Sequence, residues 1–210
     1  MESYFIALIP DDKTNSVISE AKKSIFQTFG PQKFLADSPH CTLYVSQAEN
    51  LFDVENILRI SLQDQKQILV NVTDWQIFPE DKLAGGGTTF GLKFRSEDKP
   101  QIVHLQKRLV NQLNALRNNH VHSRYQIDLP DSLMQSTEKY GYPFISSNTV
   151  ENILLPHISF CSFNNPNNVE VFQQSNPITK FQGPITFTKL ALFKLHDNDK
   201  TGLIRDFPLQ

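Results

Sequence analysis

Pro39-His40-Cys41-Thr42-Leu43 and Pro156-His157-Ile158-Ser159-Phe160 are one phrase written twice, Pro-His-x-[Ser/Thr]-apolar. Each opens an apolar run with strand character. Side chains alternate along a strand, so His40, Thr42 and Tyr44 are expected on one face and Cys41, Leu43 and Val45 on the other. The same alternation sets His157, Ser159, Cys161 and Phe163 against Ile158 and Phe160. None of the other histidines, His104, His120, His122 and His196, has Ser or Thr two residues on.

Working outward, the two phrases occupy matching places. Upstream of the first lies a buried-strand run, Tyr4–Ile9. A helical stripe of Val17, Ile18, Ala21, Ile25, Phe26 and Phe29 follows and is stopped by Gly30-Pro31. Downstream come a helix over about 51–62 and a long strand over 67–78. The order then repeats: a strand over 88–94, a helix from about 99 to 116, the second phrase, a short helix around 169–174, and a long strand over 185–195. A closing strand is expected at 202–209. His40 to Trp75 spans 35 residues, and so does His157 to Leu192. Each half therefore reads β-α-β-α-β. Tyr4 to His40 is 36 residues but Thr88 to His157 is 69, which places an insertion at about Asn118–Asn152. The expectation is one bilobal domain over 1–210, with lobe 1 at about 1–84 and lobe 2 at about 85–210.

Composition narrows the class of function. The chain has 210 residues, 39% hydrophobic with 16 Phe, enough for a packed core. A formal charge of −2 argues against binding nucleic acid or membrane through bulk charge, although a small nucleotide needs only a few local cations. The apolar run at Tyr4–Ile9 is too short for a signal peptide or a membrane span, and two cysteines make no disulfide framework. A cytoplasmic protein with no membrane association and no obligatory protein partner is expected.

If the halves are related by a pseudo-twofold, two imidazoles and two hydroxyls converge on one groove. That set suits displacement at phosphorus. One neutral imidazole takes a proton from the attacking oxygen and the other, protonated, gives one to the leaving oxygen. Imidazole does both near neutrality, its ordinary pKa being about 6.5. The hydroxyls donate hydrogen bonds to oxygens where charge builds. No metal or cofactor is called for, since two histidines manage the protons.

At these residues the chain resembles the 2H phosphoesterases, which include the bacterial 2′-5′ RNA ligase-like proteins and the RNA 2′,3′-cyclic phosphodiesterases. The resemblance covers essentially the whole chain except the insertion. It implies an α+β fold, a pseudo-twofold duplication with two largely antiparallel sheets facing a central groove and helices outside. It also implies metal-independent hydrolysis of a 2′,3′-cyclic phosphate at an RNA end or nucleotide, with His40 and His157 catalytic and Thr42 and Ser159 on the phosphate. The alternatives are a 2′-5′ oligonucleotide or cyclic-dinucleotide phosphodiesterase, and a non-catalytic module that binds an RNA end or nucleotide.

Weaker signals surround this set. Tyr44 and Phe163 fall on the groove face by register, and Arg124, Tyr140 and Tyr142 in the insertion suit base stacking and phosphate contact, as does Lys139. Lys93 and Arg95 are further phosphate-contact candidates. Gly85-Gly86-Gly87 reads as a hairpin turn, and His120-Val121-His122 as an exposed loop without a completed zinc set. Cys161 reads as a passive buried thiol rather than a nucleophile.

Overall fold

The structure is a computed structural model that describes residues 1–126, 131–143, 156–175, 177–196 and 201–210. The first expected strand is β1 (Glu2–Pro10), and α1 (Asp12–Phe29) follows it. Asp11 starts this helix by accepting the Thr14 N–H at 2.9 Å, satisfying one of the donors a helix start leaves open. Gly30, at φ +72°, ends it. Next come β2 (Cys41–Ala48), α2 (Leu51–Ser61), β3 (Ile68–Asp81), β4 (Gly87–Phe94) and α3 (Lys99–Leu113). The second half continues with α4 (Asp131–Tyr140), β5 (His157–Phe163), α5 (Pro166–Ser175), β6 (Gly183–Leu195) and β7 (Thr201–Pro208). Helix α4, inside the insertion, was not anticipated from the sequence. Residues 127–130 and 144–152 of that insertion lie outside the described residues.

Among the described residues the strands form one antiparallel sheet in the order β2-β1-β6-β3-β4-β5, with β7 also paired to β6. The order is a palindrome under the duplication: β2 matches β5, β1 matches β4, and β6 matches β3. The α+β class and the paired units are as expected, but the two expected sheets are continuous, joined edge to edge by the β3–β6 pairing. The two three-stranded halves meet through β3 and β6, from Ile68 to Val72 against Phe187 to Gly183. Strand β3 leaves the first half of the chain to pair with β4, and β6 leaves the second to pair with β1. Each half of the sheet thus borrows its inner strand from the other half of the sequence. Strand β7 stands outside the symmetry.

Both motif strands carry the same irregularity. On β2, Tyr44 pairs with Ile6 and Thr42 with Ala7, which leaves Leu43 as an extra residue. On β5, Cys161 pairs with Phe90 and Ser159 with Gly91, which leaves Phe160 extra. A bulge of this kind shifts the alternation by one position and sharpens the local twist. It falls three residues after each motif histidine.

Candidate active site

Strands β2 and β5 end the sheet order, yet the sheet curls until they meet. The Cys41 thiol, at the start of β2, accepts the backbone N–H of His157, at the start of β5. His40, Thr42, His157 and Ser159 all line one cavity of about 370 Å³ between these strands. The four residues expected to converge do so.

The imidazole of His40 is fixed by the Ser38 carbonyl, 2.7 Å from Nδ1. A carbonyl only accepts, so the ring carries a proton on Nδ1. On the second side, His157 Nε2 lies 3.2 Å from Ser159 Oγ, joining the imidazole to its motif hydroxyl. Each ring also rests on a phenylalanine. The centroid of His40 is 5.4 Å from Phe5, and that of His157 is 4.8 Å from Phe78. Gly91, opposite Ser159, leaves the space His157 fills, because a Cβ there would stand 2.8 Å from the imidazole Cδ2.

The bulges reverse two expected orientations. Simple alternation put Tyr44 and Phe163 on the groove face; both are buried and neither lines the cavity. Tyr44 donates its hydroxyl to the Tyr140 carbonyl at 2.9 Å. Phe163 packs on Phe29, Phe90 and Phe172. Past each bulge the face changes, so Val45, not Tyr44, lines the cavity. Cys161 is turned the same way as Phe163, into the core rather than beside His157. Burial pushes the Cys41 thiol up to about 12 and raises Cys161 too, so neither favours the nucleophilic thiolate.

The remaining candidates divide. Tyr142 lines the cavity, set edge-on to both Tyr44 and Tyr125. Tyr140 does not, but lies under the Lys139 ammonium at 5.1 Å. Lys93 pairs with His157 across β4 and β5 and is exposed, outside the cavity lining. Arg95 is bound to Asp98 at 2.9 Å. Arg124 belongs to the short turn Ser123–Tyr125, and its side chain lies outside the described residues.

Several wall residues carry no motif and went unmarked in the sequence. Lys33, Phe34, Asp37 and Ser38 come from the loop before His40, Asp81 from the end of β3, and Tyr125 from the insertion. Arg117 was missed as well. It is buried, and it donates to the carbonyls of His120, Glu138 and Lys139 at 2.8–2.9 Å, fastening the segment that presents Tyr142. Among the described residues no group of three or more His, Cys, Asp and Glu is placed to hold a metal ion, and no helix is long and apolar enough to cross a membrane.

No family model and no curated protein matches the chain. Its fold does match solved structures. Escherichia coli LigT in its apo form superposes with a TM-score of 0.53 at 10% identity, covering 100% of this chain and 98% of that one. TT0787 of Thermus thermophilus gives 0.56 at 14% identity, covering 99% and 97%. LigT has also been crystallised with 3′-AMP, and that structure gives 0.50 at 10% identity over 100% and 98%. At these identities the likeness is one of fold, and it bears out the fold that the motif resemblance implied.

Proposed function

We propose that the cavity is the active site of a 2H-type phosphodiesterase that opens a 2′,3′-cyclic phosphate on a nucleotide or RNA end, with water as nucleophile. The observation that carries this reading is the convergence of two imidazoles and two hydroxyls, brought together from separate halves of the chain on one cavity. The 3′-AMP seen with the LigT fold suits a cavity of this kind.

One histidine removes a proton from water as its oxygen bonds to phosphorus. The bond from phosphorus to one ribose oxygen breaks, and the other histidine protonates that oxygen. The product is a phosphomonoester beside a free hydroxyl. The two imidazoles end in exchanged protonation states and return to the start through solvent. Thr42 and Ser159 donate to the non-bridging oxygens, whose charge grows in the transition state. Tyr142, Tyr125 and Phe34 offer aromatic surface for a base. Lys33, whose Nζ donates to the Leu83 carbonyl at 3.1 Å, adds a cation at the wall.

The test is a panel of 2′,3′-cyclic nucleotides, 2′-5′ dinucleotides and cyclic dinucleotides, each assayed with EDTA present. Turnover of the 2′,3′-cyclic members, undiminished by EDTA, is expected. Turnover confined to 2′-5′ or cyclic dinucleotides moves the substrate class. Tight binding without product from any member makes the groove a binding module.

A further inference from the structure

Lys22 is the unusual residue of α1. The core-facing stripe of this helix is Ile18, Lys22 and Ile25, so an ammonium stands where an aliphatic side chain is the rule. It is only 2% exposed. Burial lowers its pKa to about 8, against the opposing pull of the Asp37 carboxylate. A buried ammonium persists where its donors are met. Lys22 Nζ donates to the Phe34 carbonyl at 2.8 Å and to the Asp37 carbonyl at 2.9 Å. Both belong to the loop before His40, in which Phe34 takes φ +71°, a conformation that costs a residue with a side chain.

We infer that Lys22 is a positioning residue for His40, acting through the backbone of residues 37–39. The relay is short and stiff. Lys22 holds the carbonyl of the Asp37–Ser38 peptide. Ser38 precedes a proline and is restricted to extended conformations, and the Pro39 ring locks its own φ. With those torsions set, fixing the Asp37 carbonyl also fixes the direction of the next one. That next carbonyl, of Ser38, receives the Nδ1 proton of His40. The same loop reaches across the groove, where the Lys33 carbonyl accepts the Ser162 N–H of β5 at 3.2 Å. Lys22 thus sets the imidazole tautomer from the far side of the loop without touching the cavity. The inference rests on the reading that His40 exchanges a proton in turnover.

The experiment compares the wild type with Lys22→Met, Lys22→Gln and, as a core control of similar thermal loss, Leu58→Ala on the buried face of α2. Long-range proton–nitrogen spectra of the imidazole rings report each tautomer directly. The wild type should show His40 protonated at Nδ1. Lys22→Met should move His40 toward the Nε2-protonated form and leave His157 unchanged. Lys22→Gln, which reaches one carbonyl at most, should give a partial shift and serves if the Met variant does not fold. With a 2′,3′-cyclic nucleotide, kcat should fall by about 10- to 100-fold in Lys22→Met, with KM little changed. An unaltered His40 tautomer in the folded Lys22 variants, or an equal change in Leu58→Ala, overturns the inference. If the wild type turns over no cyclic phosphate, the proposed activity fails while the ring spectra still decide the role of Lys22.

Discussion

The two halves of the sheet share a frame but not the packing around their histidines. In the frame, Ala7 corresponds to Gly91, Phe5 to Thr89, Val45 to Ser162, and Phe193 to Phe78, by their matched places in the strand registers. Around His40, Phe5 stacks on Phe193 at 4.5 Å, so Phe5 itself is the surface the imidazole meets. Around His157, Thr89 replaces that ring, and Phe78 reaches the imidazole directly. The first imidazole meets a stacked pair of rings, Phe5 on Phe193, whereas the second meets a single ring, Phe78, with Thr89 in place of the other. A duplicated scaffold has therefore kept its two histidines while their surroundings diverged, and in the proposed reaction one imidazole gains a proton while the other loses it.

The strongest challenge to this comparison is removal of each histidine in turn. His40→Ala and His157→Ala should each lower kcat by about 10²–10⁴-fold, with melting temperatures near the wild type. Near-normal turnover by both variants would break the shared frame as a functional one. Next in size are the hydroxyls. Thr42→Val and Ser159→Ala should each cost about 10²-fold in kcat.

A smaller and sharper contrast comes from the paired small residues. Gly91→Ala should displace the His157 ring and lower kcat by about 10-fold or more. Ala7→Gly, its counterpart, should cost about 1 kcal/mol of stability and leave kcat alone. Equal kinetic effects at both positions would show that the recess at Gly91 has no special part.

The smallest expected difference concerns acid stability. Asp11 and Asp98 are counterparts, each accepting a backbone N–H from an inner strand, Thr186 of β6 and Asn71 of β3. Hydrogen bonds from Arg95 and then Asn71 lower the Asp98 carboxyl to about 2. For Asp11 burial acts upward, but bonds from Thr14 and Thr186 outweigh it and the net shift is down. An ordinary Asp titrates at about 3.9. The stabilisation from Asp98 is thus fully present above that value and is lost as pH falls toward 2. Urea midpoints of Asp98→Asn should approach the wild type over that window, with a weaker convergence for Asp11→Asn.

The sequence disclosed the four groove residues, because alternation holds for the first four positions of each motif, counted from its histidine. It failed at the fifth, where Tyr44 and Cys161 turn inward past a bulge. A bulge is decided by cross-strand pairing, which the order of residues along one strand does not report. Strand exchange was invisible for the same reason, since nothing within 68–81 says whether its partner is β1 or β4. Lys22 was missed too, because the stripe of α1 was read from its apolar residues alone and a cation among them carries no apolar signal. The sequence also withheld its targets, two backbone carbonyls twelve and fifteen residues away.

The exchange of inner strands has a consequence for how the molecule comes into being. β6 lies between β1 and β3. Before residues 183–195 emerge during synthesis, the first strand of the protein lacks one neighbour and β3 lacks part of its pairing. Neither repeat can therefore close its own sheet as a freestanding unit. Assembly depends on contacts far apart along the chain, which slows folding. A nascent protein halted short of Gly183 would carry open strand edges, the surface that invites mispairing with other chains.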